Sequence, residues 1–231
     1  MPKTRASGIL LHPTSFPGRF GIGDLGQEAY WFIDFLAGSG QQYWQVLPLG
    51  PTGYGNSPYM CYSALAGNPL LISLELLRDE GFLADADLWH VPEFPSDRVD
   101  YEQVAAYKMP LLLKACEGFK TNASEVQKTR FAGFCASKAY WLDDYAIYMA
   151  LKAAHEGKSW FEWEPELVTR SPAALDQWGR RLNPEIVFHK FLQFAFFSQW
   201  SQLKQYANDR GIAIIGDIPI YVAHDSADVW A

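Results

Sequence analysis

The chain has few cysteines, no long apolar run and no basic cluster, and each absence removes a class of protein. Its three cysteines, Cys61, Cys116 and Cys135, are odd in number and far apart. This excludes a disulfide framework and the ligand spacing of a zinc site. Apolar runs such as 111–113 and 212–215 are far too short to cross a bilayer. Only 19 Lys and Arg stand against 26 acidic residues, without clustering, which excludes nucleic-acid binding through phosphates.

A secretory signal is also missing. The first five residues are basic, but neither an apolar segment nor a small-residue cleavage site follows them. Together with the cysteine count, this predicts a reducing, cytoplasmic location. A plastid protein shown without its transit peptide stays open, because the sequence would look the same.

The residues that are present predict a folded α/β protein. About half of the chain is apolar and 16% is aromatic, which excludes a disordered polypeptide. Strands are predicted over 7–11, 43–47 and 212–215. Helices are predicted over 27–36, 70–80, 100–118 with a division at Pro110, 125–135, 138–155 and 183–209. Alternating strands and helices predict a parallel α/β sheet or barrel, and residues 75–180 read as a mainly helical insertion because no strand interrupts them.

Residues 47–68, here called the tyrosine loop, have neither a helical nor a strand period. They contain four glycines, three prolines and three tyrosines, and they carry no charge. A long loop of this composition indicates function rather than disorder. Planar rings beside neutral hydroxyl and amide groups suit a neutral, polyhydroxylated ligand, whose apolar faces stack on tyrosine while its hydroxyls take hydrogen bonds.

A G-x-G-x-x-G pattern at 21–26 invites a dinucleotide interpretation, which the context argues against. The glycines follow the first strand by about ten residues, and Asp24 would place negative charge where a pyrophosphate should lie. We expect these glycines to shape a turn before the next helix. A nucleotide-dependent enzyme nevertheless remains a third, weaker alternative.

Polar residues follow the predicted strands where the chain leaves each one. In parallel α/β barrels the carboxyl ends of the strands carry the active site, so the loops after Leu11, Leu47 and Ile215 should converge on one face. From its position alone, Asp217 fits a functional role and a role in a turn equally well. Asp225 and Asp228, beside Ser and Ala, are more typical of turns and helix caps.

These motifs together resemble the N-terminal part of the amylomaltase, or disproportionating-enzyme, family of 4-α-glucanotransferases. The matching segments are 7–15 (SGILLHPTS), 21–26 (GIGDLG), 44–59 (WQVLPLGPTGYGNSPY), 66–69 (AGNP), 216–222 (GDIPIYV) and 226–230 (SADVW). They lie at both ends of the chain, while the helical middle matches mainly in order and composition.

The resemblance implies a transferase that moves α-1,4-glucan segments between maltodextrins by a retaining double displacement, and it implies no metal or cofactor. It also implies the N-terminal portion of a (β/α)8 TIM-type barrel, with 1–74 holding the first strands and the tyrosine loop, 75–180 the helical insertion, and 181–231 a long helix, the third strand and the start of an exit loop. On this interpretation the barrel is incomplete at residue 231. The family's catalytic carboxylates would lie beyond the chain, which alone should be inactive.

Carried over residue by residue, the resemblance assigns Ser57 and Tyr59 to substrate contacts near the cleavage point. Tyr54 matches a position that binds glucan outside the catalytic centre. Asp217 is expected to support the site and to contact substrate, without acting as the nucleophile. His224 differs from the acidic residue that the family pattern suggests, and no catalytic role is assigned to it. The alternative function is a non-catalytic α-glucan-binding module, and the oligomeric state stays open.

Overall fold

The computed structural model describes residues 5–231, apart from the side chain of Tyr54. The chain divides into two compact units. The sheet unit contains the residues up to Leu49, together with Asn68–Ala123 and Ala195–Ile218. The helical unit contains Gly50–Gly67, Ser124–Phe194 and Pro219–Ala231. The division at residues 74 and 180 that the sequence suggested stays a prediction.

The three predicted strands are confirmed, and they form one parallel sheet. They are β1 (Gly8–Leu10), β2 (Tyr43–Gln45) and β3 (Ala213–Ile215), in the order β1-β2-β3. Gly8 opposes Tyr43, which in turn opposes Ala213. Each strand is shorter than predicted. Because parallel neighbours require long crossovers, helices occupy the connections, and the fold is a mostly helical α/β structure.

Three complete helices lie in the described part of the sheet unit, and the side chains of Ser73 and Asp100 cap the second and the third. They are α1 (Gln27–Gly38), α2 (Leu74–Asp79) and α3 (Tyr101–Asn122). The predicted helix over 70–80 is wrong in its first turn, where a 3-10 turn precedes the Ser73 cap. The predicted division at Pro110 is also wrong, since α3 continues through it. Burial of Lys108, Leu112 and Ala115 on the helix face outweighs the hydrogen bond that proline cannot donate.

The helical unit is built around one long helix. This is α4 (Glu125–Ala154), which begins at the Ser124–Gln127 capping box. The expectation of two separate helices here is wrong, because no proline or turn interrupts the stretch 125–154. Three short helices complete the unit: α5 (Pro165–Val168), α6 (Pro172–Arg181) and α8 (Ala227–Trp230). The remaining helix, α7 (Asn183–Asp209), belongs to the helical unit up to Phe194 and to the sheet unit from Ala195.

Trp44, the middle residue of β2, is the centre of the sheet unit's core. It is fully buried and contacts the rings of Phe16, Phe32 and Trp200 at centroid distances of 5.8, 5.5 and 6.3 Å. Its indole Nε1 donates to the Leu11 carbonyl over 2.8 Å. The core residue therefore also fixes the backbone at the point where the chain leaves β1.

Two of the large aromatic side chains of α1 lie outside the core. Ala29, Ile33 and Leu36 are buried, whereas Trp31 and Phe35 are more than half exposed. The pattern of this short, almost wholly apolar helix does not distinguish one face from another.

The core of the helical unit is an aromatic cluster. Tyr148 of α4 contacts Trp163 at 5.5 Å and Trp230 of α8 at 5.8 Å, and the two tryptophans contact each other. Trp230 donates from Nε1 to the Leu167 carbonyl. This cluster anchors the last helix against α4. Over the part of the chain that the structure describes, no helix is both long enough and apolar enough to cross a bilayer.

Candidate functional site

The carboxyl edge of the sheet places three chain exits side by side. The register pairs Leu10 with Gln45 and Gln45 with Ile215, so the chain leaves all three strands along one edge. Asp217 follows β3 by two residues and is half-buried, and its Oδ1 accepts from the Ile218 N–H over 2.8 Å. Asp217 therefore lies at the strand exit, where the sequence placed it.

His12 joins the exits of β1 and β2 within the sheet unit. Its Nδ1 accepts from the Thr14 N–H over 3.3 Å, and its Nε2 lies 3.3 Å from the Pro48 carbonyl. These bonds require a neutral ring with the proton on Nε2. Burial lowers the pKa of His12, although the hydrogen bond to Pro48 partly opposes this shift. A lowered pKa is consistent with a neutral ring. The sequence did not predict this link, since its only signal is a histidine next to a proline at a strand exit.

The glycine motif forms a turn before α1, as expected, and packs closely against its neighbours. Asp24 Oδ1 accepts from the Gly26 N–H, while Asp24 Oδ2 lies 3.2 Å from the buried Nζ of Lys108. A Cβ at Gly23 would approach the Pro13 carbonyl oxygen to 2.1 Å. Asp24 therefore stabilises the turn before α1, and its contact with Lys108 links this turn to α3.

The tyrosine loop folds back on itself. Thr52 and Cys61 form an antiparallel bridge, and the Gly53 N–H donates to the Met60 carbonyl over 2.7 Å. The tip is a 3-10 turn over Tyr54–Asn56, in which Gly55 has a φ of 73°. Left-handed backbone of this kind favours glycine, so Gly55 in the sequence G-Y-G-N allows the chain to turn at this point.

Two of the predicted substrate residues lie just after that tip. Ser57 is half-buried, and its Oγ accepts from the Tyr59 N–H over 3.3 Å. Tyr59 is 43% exposed, so part of its ring faces solvent. The side chain of Tyr54 lies outside the described part of the structure. Ser57 and Tyr59 belong to the helical unit and Asp217 to the sheet unit, and each is described within its own unit.

The base of the tyrosine loop is bound to other parts of the helical unit. The Ala64 N–H donates to Asp228 Oδ2 over 2.7 Å, and the Ala227 N–H donates to the Tyr62 carbonyl over 2.8 Å. The Gln193 side chain makes both of its hydrogen bonds to the backbone of Gly67, at 2.7 and 2.9 Å. The loop is thus held at its base while its tip stays exposed.

Asp225 is the centre of a polar network that the sequence did not predict. It accepts from Lys152 Nζ at 2.6 Å, from the Tyr148 hydroxyl at 2.8 Å and from the Trp160 N–H at 3.2 Å. Burial disfavours the ionised form of Asp225, but these hydrogen bonds and the Lys152 charge outweigh it, so the pKa of the carboxyl lies below its ordinary value. Lys152 also lies 5.3 Å from the ring centroid of Tyr62 in the tyrosine loop.

The sequence contains a signal for this network, but the same signal also predicts ordinary core packing. Tyr148 and Lys152 are four residues apart and belong to an aromatic stripe that predicts packing. Both are indeed buried, yet their polar atoms point at one carboxylate 73 to 77 residues further along the chain. Asp225 and Asp228 therefore have structural roles, but they act through long-range contacts and not as the turn and cap residues that the sequence favoured, since Ser226 caps α8.

The chemistry that the arrangement offers is stacking and hydrogen bonding. Among the described residues, no group of three His, Cys, Asp or Glu side chains could hold a metal ion. Cys61 and Cys116 are buried thiols, and burial raises the pKa of both, to about 11 for Cys116. The groups at the tip of the tyrosine loop are neutral hydroxyls, amides and rings.

Comparison with known proteins agrees with this chemistry. The model of the family described as 4-alpha-glucanotransferase matches residues 11–231. A 4-alpha-glucanotransferase of Synechocystis sp. is 58% identical over 227 residues, which are 98% of this chain and 45% of that protein. The corresponding protein of Thermus thermophilus is 51% identical over 231 residues, which are 100% of this chain and 45% of its own length. The chain thus spans about half the length of these curated relatives.

A solved structure is also similar to this chain over almost its whole length. The amylomaltase from Streptococcus agalactiae, in complex with acarbose, superposes with a TM-score of 0.93 at 42% identity. The match covers 99% of this chain and 46% of the other.

Proposed function

Because the chain belongs to the 4-α-glucanotransferase family, we propose that it takes part in transferring α-1,4-glucan segments from one maltodextrin to another. The observation that carries this proposal is the family match over residues 11–231. The exposed, uncharged tip of the tyrosine loop supports it, because a neutral sugar needs stacking surfaces and hydroxyl partners rather than ionic ones. The acarbose in the solved amylomaltase further supports a glucan ligand.

The reaction would follow a retaining double displacement. A carboxylate attacks the anomeric carbon while a second carboxyl group protonates the departing oxygen, and a sugar 4-hydroxyl then replaces water as the acceptor. We assign the nucleophile and the acid/base to residues outside these 231. Asp225 and Asp228, the candidates on the exit segment Pro219–Ala231, are already engaged as hydrogen-bond acceptors.

Within this scheme the chain's residues bind and orient the sugar. Tyr59 and Ser57 would contact the glucan near the cleaved bond, and Tyr54 would bind it further away. Asp217 would support the site from the exit of β3. Transfer competes with hydrolysis only when the acceptor region holds sugar well and water poorly, and aromatic rings at the loop tip favour sugar.

We extend the fold proposal to a (β/α)8 barrel. The support is the parallel order β1-β2-β3 with helical crossovers and the location of Asp217 at the carboxyl edge. Residues 1–74, 75–180 and 181–231 keep their proposed roles as first strands with the tyrosine loop, helical insertion, and long helix with the third strand. A reducing compartment, cytoplasmic or plastidial, is proposed on the three unpaired cysteines.

A non-catalytic glucan-binding module is the second candidate. It is favoured by the structural use of Asp225 and Asp228, which leaves the described chain with a sugar-binding loop and no evident catalytic pair. Such a module would bind maltodextrins without converting them.

Maltotriose distinguishes the two candidates. We expect no glucose from the 231-residue chain alone, and glucose with longer maltodextrins from the product of the complete reading frame. Turnover by the 231-residue chain would contradict the assignment of the catalytic groups. Maltodextrin binding without turnover by the complete product would support the binding module.

A further inference from the structure

An exposed aromatic cluster on the helical unit is explained neither by core packing nor by the tyrosine loop. It consists of Trp160 and Phe161, in the 3-10 turn Trp160–Glu162, and His224 of the exit segment. Phe161 is 50% exposed, and His224 is also exposed. Single exposed rings are ordinary. Here, however, the rings come from segments 64 residues apart and assemble at the surface.

The three rings form a shelf with a defined shape. Phe161 and His224 are nearly parallel, with centroids 5.3 Å apart and an interplanar angle of 18°. Trp160 is close to perpendicular to both, at 79° to Phe161 and 88° to His224. Trp160 therefore packs against both rings of the stacked pair. One face of Phe161 lies against His224, and half of Phe161 is exposed to solvent.

The shelf is held in place before any ligand arrives. The Trp160 Nε1 donates to the His224 carbonyl over 2.8 Å, and the Trp160 backbone N–H donates to Asp225 Oδ1. Asp225 is fixed in turn by Lys152. A surface that is already ordered loses little conformational entropy on binding.

The shelf also has unused hydrogen-bonding capacity. Neither ring nitrogen of His224 makes a hydrogen bond to any residue that the structure describes. Neither Trp160 nor Phe161 can carry a charge. An apolar face next to a free donor or acceptor matches a pyranose ring, which has an apolar C–H face and hydroxyls at its rim.

We propose that Trp160, Phe161 and His224 form a binding shelf for one glucose unit of an α-1,4-glucan, separate from the tip of the tyrosine loop. The glucan is identified from the proposed function, on which this inference rests. The shelf would hold a part of the chain away from the cleaved bond and so favour longer maltodextrins. Its exit-segment partner, His224, follows Asp217 by seven residues.

Calorimetric titration of the 231-residue chain with maltoheptaose tests the shelf. Phe161→Ala should weaken binding about three- to tenfold, the range that loss of an aromatic contact produces, while Phe161→Trp should keep it. His224→Phe retains a ring but removes the nitrogens, and a loss of about threefold is expected for one hydrogen bond. Tyr140→Ala, which removes a 73% exposed ring elsewhere on the helical unit, should change nothing.

Each outcome decides the proposal. Equal affinities for the unmodified chain and Phe161→Ala would overturn the shelf and leave the transferase assignment intact. Absence of maltoheptaose binding by the unmodified chain would also overturn the shelf. Binding that depends on Phe161, together with a complete reading-frame product that transfers no glucan, would keep the shelf and contradict the proposed function.

Discussion

At the scale of single residues, exposure separates the proposed binding groups from the structural ones. Tyr59 is 43% exposed at the tip of the tyrosine loop, whereas Asp225 is enclosed by Lys152, Tyr148 and the Trp160 N–H. A change at an exposed tip should alter ligand binding with little effect on folding. A change inside the network should do the reverse.

Tyr59→Ala is therefore expected to reduce glucan transfer strongly while the free energy of unfolding changes by less than about 1 kcal/mol. Denaturant unfolding and an assay on the complete reading-frame product measure the two effects. Tyr140→Ala is the matched control for removal of an exposed tyrosine. A large loss of stability in Tyr59→Ala would show that the ring packs structurally.

Asp225→Asn should destabilise the protein by about 2–4 kcal/mol at neutral pH, because it leaves the buried Lys152 ammonium without its charged partner. The folded-state pKa of Asp225 is lowered, so its contribution is present above the ordinary aspartate pKa and is lost as pH falls. Unfolding measured below about pH 4 should show a smaller pH dependence in the variant than in the wild type.

Asp176 provides the control for that experiment. Its ion pair with Arg180 is exposed on both sides, so Asp176→Asn should change stability by less than about 0.5 kcal/mol. Equal effects of Asp225→Asn and Asp176→Asn would mean that the Asp225 network contributes nothing to folding.

At the scale of elements, two glutamines of α7 hold the chain on either side of the segment 68–72. Gln193 makes two hydrogen bonds to Gly67 in the helical unit, and Gln199 makes two to Ser73 in the sheet unit. Both side chains are buried. The sequence predicted this helix correctly, but it did not predict that the buried Gln193 fixes the base of the tyrosine loop.

Gln193→Leu should cost about 1–3 kcal/mol, since it leaves the Gly67 N–H and carbonyl buried without partners. It should also weaken maltodextrin binding, because the base of the tyrosine loop loses its clamp. Gln205→Leu, on an exposed part of the same helix, is the control. Unchanged stability in Gln193→Leu would indicate that water replaces the side chain.

Two helical glycines give a test of packing at the same scale. A Cβ at Gly118 of α3 would lie 2.2 Å from the Phe82 carbonyl oxygen, whereas one at Gly133 of α4 would meet nothing within 4 Å. Gly118→Ala should destabilise the protein by about 1–3 kcal/mol. Gly133→Ala should stabilise it by up to about 1 kcal/mol. Thermal unfolding that ranks the two variants in the opposite order would contradict the close approach of α3 to Phe82.

At the scale of the whole molecule, the sequence predicted those features that depend on residues close together in the chain. The three strands, the start of α1 and the irregular tyrosine loop follow from apolar runs, glycines and prolines that act within a few residues. The passage of α3 through Pro110 and the exposure of Trp31 depend instead on which surfaces meet. No pattern within a short window contains that information.

The features of the candidate site likewise include some that the sequence predicted and others that it did not. Asp217 and the tyrosine loop could be found because they stand at strand exits and have unusual composition. The Asp225 network, the Gln193 clamp and the shelf of Trp160, Phe161 and His224 join residues 64 to 126 positions apart. The sequence therefore did not predict them. The Asp225 network and the Gln193 hydrogen bonds explain how the base of the loop is held.

The product pattern from maltotriose tests the central claim most directly. With the product of the complete reading frame, the account predicts glucose together with maltodextrins longer than maltotriose, and a marked loss of both in Tyr59→Ala. A hydrolase would give glucose and maltose without longer products, and either that pattern or unchanged transfer by Tyr59→Ala would contradict the account.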